Sequence, residues 1–180
     1  MRALRLAAGA AWVALLVETL FFAPPTPDDT WELVKRLFRF DGPDPLVIAA
    51  FQMMGVWPLL YARMLLRGLK AQRVTPWPFV IASFAVGAFA LLPALILRRF
   101  GASTTSDPGW LRAFTENERV GQVLAGVAFV LLGWGLVAGD VDVALQLWRT
   151  HGFVHTFGLD FLTVTLAYPA LLAAENRGTR

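Results

Sequence analysis

The sequence has no cysteine, only two histidines and few charged residues, and each shortage excludes a kind of protein. Without cysteine the chain has no disulfide, thiolate metal site, cysteine nucleophile or thioether-linked haem. With two histidines, a haem held by histidines of different helices is hard to build. Gly-rich phosphate loops, nucleophile elbows and metalloprotease helix motifs are also missing. The usual signatures of soluble enzymes are therefore absent, and no metal or other cofactor is predicted.

Charged residues make up 16% of the chain and hydrophobic residues 57%, whereas an ordinary soluble domain is roughly 25% charged. The apolar residues are gathered into runs of bilayer length, which predicts an integral membrane protein. Lys and Arg lie mainly beside these runs, where they anchor helices at lipid headgroups. The net charge of +3 therefore indicates contact with membrane lipids, and no nucleic-acid partner is predicted.

The predicted fold class is all-α, a polytopic transmembrane helix bundle forming one membrane domain over 1–180. Each predicted span has about the 20 residues that cross a bilayer. The five spans are 4–24, 46–66, 77–97, 119–138 and 154–174. The first span resembles a secretory signal, because Arg2 and Arg5 precede an apolar stretch, but Phe21-Phe22-Ala23-Pro24 lacks a small-x-small cleavage pattern, which favours a retained anchor helix.

Two short amphipathic segments, 30–40 and 140–149, are predicted to lie flat at the membrane interface. The first begins with a capping box formed by Asp29 and Glu32. The segment 98–118 is rich in Gly, Ser, Thr and Pro, which is typical of an exposed loop.

The orientation rests on the positive-inside rule. Arg67, Lys70 and Arg73 follow the second span without an acidic residue, which favours a cytoplasmic location for that loop and for the N-terminus. With five spans, however, the basic residues of 98–118 fall on the outer side. We expect the N-terminus to be cytoplasmic in a plasma or thylakoid membrane.

Antiparallel alternation of five spans sorts the polar residues within them into two layers, one near each face. The candidate polar site, near the N-terminal face, comprises Arg63, Ser83, His155 and Asp160. The second layer, near the opposite face, comprises Glu18, Gln52 and Gln122. Glu18 and Asp160 then differ too much in depth to form a carboxylate pair, which excludes a paired-acid hydrolase.

Each polar group has a structural and a functional interpretation. Arg63 and Asp160 either form an ion pair that fixes helix register or bind a headgroup, pigment or proton; Asp160 alternatively caps the last helix. Glu18 is either a neutral acid hydrogen-bonded to Gln52 or a proton relay or substrate contact.

His151 and His155 have the i, i+4 spacing that on one helix face suits a metal or a tetrapyrrole. Gly152 lies between them and favours two histidines in an interfacial turn. Asp140 and Asp142 supply too few oxygen ligands for a metal site.

Three strings carry a resemblance: Met54 to Leu59 (MGVWPL), Gly87 to Pro93 (GAFALLP), and Phe153-Val154-His155 leading to Asp160-Phe161-Leu162. Together they resemble an uncharacterised family of small multi-pass membrane proteins of cyanobacteria and plastids, over about residues 46–175. The resemblance implies a photosynthetic organism and a thylakoid or plasma membrane. It implies no established activity.

The leading functional hypothesis is a non-enzymatic accessory or assembly subunit of a membrane complex, with other membrane-protein subunits as partners. The alternative is a lipid- or isoprenoid-handling enzyme or small transporter that uses Arg63, Ser83, His155 and Asp160. A third hypothesis is pigment binding through His155.

Overall fold

The chain is helical throughout the part that this computed structural model describes, residues 2–102 and 104–178. It contains nine α-helices, helix makes up 79% of the structure, and no strand occurs in the described ranges. The helices are α1 (Arg2–Val17, continued by a π-helical turn over Glu18–Phe22), α2 (Thr30–Phe38), α3 (Pro45–Leu65), α4 (Trp77–Val86), α5 (Ala88–Leu97), α6 (Gly109–Glu116), α7 (Glu118–Ala138), α8 (Val141–Thr150) and α9 (Gly152–Gly178). The predicted all-α class is confirmed.

Four helical stretches are long and apolar enough to cross a membrane: Arg2–Phe22, Pro45–Leu65, Glu118–Ala138 and Gly152–Glu175. They coincide with four of the five predicted spans. Their outer surfaces are apolar, as on α7, where Phe129 is 80% and Val137 is 88% exposed. Apolar side chains that face outward in this way are compatible with lipid as the surrounding solvent.

The predicted third span, 77–97, is not one helix, and this part of the prediction was wrong. Gly87 has φ 49° and ψ −121° and separates α4 from α5. The residues that flank the pair meet, since the Gln72 side chain accepts a hydrogen bond from Arg99 N at 2.8 Å and donates one to Arg99 O at 3.1 Å. A straight helix over 77–97 would hold its ends about 30 Å apart. The helices α4 and α5 therefore form a hairpin, with Val86–Ala88 as its tip.

Arg98, at the base of the hairpin, shows which helix ends share one face of the bundle. It contacts the start of α1, because Arg5 donates to Arg98 O at 2.8 Å. It donates to Leu65 O, at the end of α3, at 2.7 Å, and it pairs with Glu175 near the end of α9. We refer to this side as the N-terminal face.

The other ends of the long helices meet on the opposite face. Asp44 caps the start of α3, and it also accepts a hydrogen bond of 2.7 Å from Asp140 N, directly after α7. Gly152, the first residue of α9, donates to Pro25 O just beyond α1 at 3.0 Å. The helices α1, α3, α7 and α9 therefore alternate in direction.

The two predicted amphipathic segments are the short helices α2 and α8, with nearly the predicted bounds. The capping box of α2 was wrong, because Asp29 makes no side-chain capping bond and Glu32 accepts from Lys35 at 2.7 Å instead. The predicted loop 98–118 also differs, because it contains the helix α6. Ser103 of that loop lies outside the described residues.

The helix α3 forms the centre of the bundle. Its Tyr61 is fully buried and donates a hydrogen bond of 2.7 Å to Val164 O of α9. Trp57 and Tyr168 pack against that ring, with centroids 6.2 Å and 5.5 Å away. This packing fixes α3 against α9 and so positions the hairpin tip between them.

Candidate ligand-binding cavity

The tip of the hairpin is held by one carboxylate of α9. Asp160 Oδ1 accepts a short hydrogen bond from Ala88 N, the first residue of α5. The first backbone N–H groups of a helix have no partner within it, and their positive end favours an anion. Asp160 therefore caps a helix from a neighbouring element, whereas the cap predicted for it was on its own helix.

Gly87 is required at the tip for two independent reasons. Its φ and ψ are those of the first central residue of a type II′ turn, a position that glycine dominates. A Cβ atom there would also collide with the Asp160 carboxylate and would lie 2.6 Å from Met54 Cε. The backbone turn and the close approach of Asp160 thus depend on the same residue.

The hairpin reaches only part of the way through the bundle. The ten residues of α4 span about 15 Å, roughly half of a 30 Å hydrocarbon layer. Between the tip and the opposite face lies a cavity of about 1030 Å³. This is near the upper end of the roughly 300–1,000 Å³ typical of ligand pockets.

We call this space the hairpin cavity. Its walls come from α2, α3, the hairpin and the first half of α9. It is lined by Thr30, Trp31, Val34, Phe38, Phe51, Gln52, Met54, Gly55, Ser83, Phe84, Ala85, Val86, Gly87, Phe89, Phe153, Thr156, Phe157 and Asp160.

The wall of the hairpin cavity toward the opposite face is an aromatic cluster. Phe51 lies at its centre, 5.0 Å from Phe38, 5.9 Å from Phe157 and 6.2 Å from Phe153 between ring centroids. Edge-to-face contacts of this kind give a rigid apolar surface. Phe38 belongs to α2, so the amphipathic helix forms the roof of the cavity.

Few polar groups line the cavity, and most have a partner within the protein. Ser83 is 1% exposed and its hydroxyl donates to Val80 O at 2.7 Å. Gln52 Nε2 donates to Leu37 O at 2.8 Å, which ties α3 to the roof. Asp160 is 4% exposed and is the one ionisable side chain among the described lining residues.

The outer face of the roof carries paired charges. Glu32 accepts from Lys35 at 2.7 Å, and Arg36 lies 3.7 Å from Asp41. The hydrogen bond from Lys35, with the charges of Lys35 and Arg39, lowers the pKa of the Glu32 carboxyl below its ordinary value. The outer surface of α2 is therefore polar, and Lys35 and Arg36 there have acidic neighbours.

The structure brings only two of the four residues of the predicted candidate polar site to the same cavity. Ser83 and Asp160 both line the hairpin cavity, whereas Arg63 and His155 lie elsewhere. Arg63 donates to Asn117 O at 2.7 Å and to Phe114 O at 3.2 Å, where the missing Cβ of Gly121 leaves room for its guanidinium. The structure shows no ion pair between Arg63 and Asp160, so that prediction was wrong.

The second predicted layer, Glu18, Gln52 and Gln122, is not a layer. Glu18 Oε1 lies 3.0 Å from His155 Nε2, and Gln52 bonds to Leu37. Gln122 is exposed in the first turns of α7, near the N-terminal face. The cause is the hairpin: because α4 and α5 turn back on each other, α7 and α9 run opposite to the predicted direction, which brings His155 beside Glu18.

The two histidines do not share a helix face, because α8 ends at Thr150 and α9 begins at Gly152. The ring of His155 stacks on Trp148, with centroids 4.7 Å apart. Its Nδ1 lies 3.0 Å from Trp148 O and its Nε2 is bonded to Glu18, so neither ring nitrogen is free to bind a pigment metal. The described residues contain no group of three or more His, Cys, Asp or Glu placed to hold a metal.

The sequence reasoning missed a buried ion pair on the N-terminal face. Arg98 Nη2 lies 3.0 Å and 3.1 Å from the two carboxylate oxygens of Glu175, and these side chains are 1% and 4% exposed. The pair joins the base of the hairpin to the end of α9. The five-span pattern placed the ends of the third and fifth spans on one face, so it did not exclude this pair, but no residue pattern indicated it.

Comparison with protein-family models, curated proteins and solved structures found no match. The resemblance to the family of cyanobacteria and plastids, and the photosynthetic membrane it implies, therefore stay predictions.

Proposed function

We propose that the protein crosses the membrane four times and that the hairpin enters and leaves on the N-terminal face without crossing. The contact of Gln72 with Arg99 at the hairpin base supports this topology. Non-helical backbone at membrane depth is tolerated where protein buries it, and Asp160 provides such a partner for the tip.

The distribution of charge supports a cytoplasmic N-terminal face. The segments on this face contain ten of the chain's 16 Lys and Arg, namely Arg2, Arg5, Arg63, Arg67, Lys70, Arg73, Arg98, Arg99, Arg112 and Arg119. The segments on the opposite face contain four, Lys35, Arg36, Arg39 and Arg149, among seven acids. By the positive-inside rule, the first group is cytoplasmic. The hairpin also removes the conflict that five spans created for 98–118.

We propose that the protein binds a lipid-class amphipathic molecule in the hairpin cavity. The observation that carries this proposal is a cavity of about 1030 Å³ that has aromatic walls and ends at one carboxylate. Ligand sites are commonly apolar clefts with a few placed polar groups. Phe84 and Val86 beside the cavity are 53% and 47% exposed, which supports entry from the bilayer.

Lipid or isoprenoid handling is therefore the hypothesis that the geometry favours. Pigment binding through His155 loses support, because both ring nitrogens are engaged. The accessory-subunit hypothesis stays a prediction, and no described feature of the cavity supports it.

A matched pair of glycines tests the proposed function. Gly55 lines the cavity and Gly126 lies on the exposed surface of α7, and a Cβ atom at either would meet no atom within 4 Å. Gly55→Leu should fill the cavity without a clash, while Gly126→Leu adds the same side chain elsewhere. Native mass spectrometry of the full chain released from mild detergent would count bound lipid-class molecules.

We expect wild type and Gly126→Leu to retain a bound molecule and Gly55→Leu to lose at least tenfold in occupancy. Equal occupancy in all three proteins, or no bound molecule in wild type after exposure to a membrane lipid extract, would overturn the proposal.

A further inference from the structure

We infer that the hairpin cavity selects ligands whose polar end donates a hydrogen bond, an alcohol or an amine, over a phosphate ester of the same hydrocarbon chain. The inference rests on the proposed function and narrows its substrate class. It follows from the charge that lines the cavity, on Asp160, and from the paired charges on the outer surface of α2.

Among the described residues, the base of the cavity offers an acceptor and no cation. A carboxylate can accept about four hydrogen bonds, and Ala88 N–H is the only described donor to Asp160. The other lining residues are neutral, and Arg63, the basic residue expected beside Asp160, is engaged by carbonyl oxygens of the segment before α7. A hydroxyl or ammonium group would fill the remaining acceptor positions, whereas a phosphate would bring acceptor oxygens and negative charge to a group that already accepts and has no described cation beside it.

The start of α5 is the one feature of the base that attracts anions, since helix N-termini bind phosphate groups. Here the position is already filled, because Asp160 accepts from the first N–H of α5. A phosphate would have to displace a carboxylate that belongs to the protein. The helix end therefore explains the place of Asp160, and its first N–H is already bonded within the protein.

Lys35 and Arg36 on the outer surface of α2 do not reverse this preference. Lys35 lies 5.8 Å from the centre of the Trp31 ring on the roof, but its ammonium group is bonded to Glu32. Arg36 donates to Asp41 O at 2.8 Å and lies beside the Asp41 carboxylate. A phosphate placed at this surface would compete with Glu32 and Asp41 for these cations.

Three ligands with one hydrocarbon chain and different charges test the inference: farnesol, farnesylamine and farnesyl phosphate. The full chain is reconstituted in nanodiscs of zwitterionic lipid, and each compound displaces radiolabelled farnesol. We expect farnesylamine to displace the label at a lower concentration than farnesol does. Farnesyl phosphate should need at least a tenfold higher concentration.

Asp160→Asn then tests whether the Asp160 side chain causes the preference among the three ligands. Asparagine keeps an oxygen that can accept from Ala88 N, so the hairpin tip retains its cap. The variant should lose the preference for the amine and reduce the penalty for the phosphate at least threefold. Leu166→Ala, also on α9 but 76% exposed and outside the cavity, should leave all three values unchanged.

The outcomes separate the two proposals. No specific farnesol binding by wild type, or equal binding by wild type and Gly55→Leu, would contradict the proposed function itself. Farnesol binding that Gly55→Leu abolishes, together with farnesyl phosphate that displaces as well as farnesol does, would leave the cavity proposal standing and overturn the preference for donors. The wild-type series decides this even if Asp160→Asn fails to fold.

Discussion

Asp160, eight residues beyond the start of α9, accepts a hydrogen bond from the backbone N–H of Ala88, at the tip of a helical hairpin that the sequence pattern had read as a membrane span. This contact determines where the hairpin stops, and it puts a carboxylate at the base of a large apolar cavity. The topology and the proposed chemistry both depend on it.

Substitution of Asp160 should separate its capping role from its charge. Asp160→Ala removes the acceptor for Ala88 N–H and should lower stability by about 1–2 kcal/mol, the usual cost of losing a helix cap. Asp160→Asn should cost less, since its side-chain oxygen can keep the bond. Thermal unfolding followed by tryptophan fluorescence in detergent measures both, and equal losses for the two variants would argue against a cap.

Gly87→Ala should be more damaging than its size suggests. A residue with a side chain is strained at φ 49°, a cost of about 1–3 kcal/mol, and the new Cβ would collide with Asp160. Gly126→Ala is the control, because its Cβ would meet nothing within 4 Å and alanine favours a helix. We expect a lower melting temperature for the first variant and an unchanged or higher one for the second. A harmless Gly87→Ala would mean that the tip is not built as described.

Single cysteines can test the topology directly, because the chain has none of its own. Thr75 and Ser106 are exposed before and after the hairpin, and Asp28 is exposed near the opposite face. In intact cells or oriented vesicles, an impermeant maleimide should label Thr75→Cys and Ser106→Cys from one side and Asp28→Cys from the other. Labelling of Thr75→Cys and Ser106→Cys from different sides would restore the five-span topology.

The buried pair of Arg98 and Glu175 should behave as a unit. Glu175→Leu leaves Arg98 buried without its carboxylate and should destabilise the protein by about 3–5 kcal/mol. The double variant Arg98→Met with Glu175→Leu removes both charges and should be clearly more stable than the single variant. Urea or thermal unfolding of the wild type, Glu175→Leu, Arg98→Met and the double variant gives the coupling energy. If the losses of the two single variants simply added up in the double variant, the residues would not be a coupled pair.

Most of the fold could be predicted from local pattern. The apolar runs at 46–66 and 119–138 coincide with α3 and α7 almost residue for residue, and the amphipathic segment at 30–40 is α2. The run 77–97 could not be resolved in this way. Its residues are apolar on every face, so neither a helical stripe nor a polar turn marks Gly87, and a glycine inside an apolar run is compatible with an unbroken helix.

The turn at Gly87 also determines which residues of the candidate polar site lie together. The predicted depths of Ser83 and Asp160 assumed five spans, yet both residues line the same cavity, because the tip of the hairpin lies at the level of Asp160 on α9. Arg63 and His155 were assigned to the same level, but α7 takes up Arg63 and the reversal of α9 brings His155 to Glu18.

The sequence by itself determined that the chain is helical, that its apolar runs have the length of membrane spans, and that Asp160 is an ionisable group with few possible partners, since composition and apolar run length are local quantities. Only the tertiary structure decided which runs form one long helix, which helix ends meet, and what Asp160 contacts. These depend on the backbone angles of Gly87 and on a hydrogen bond between residues 72 positions apart, and no local pattern encodes such a distance.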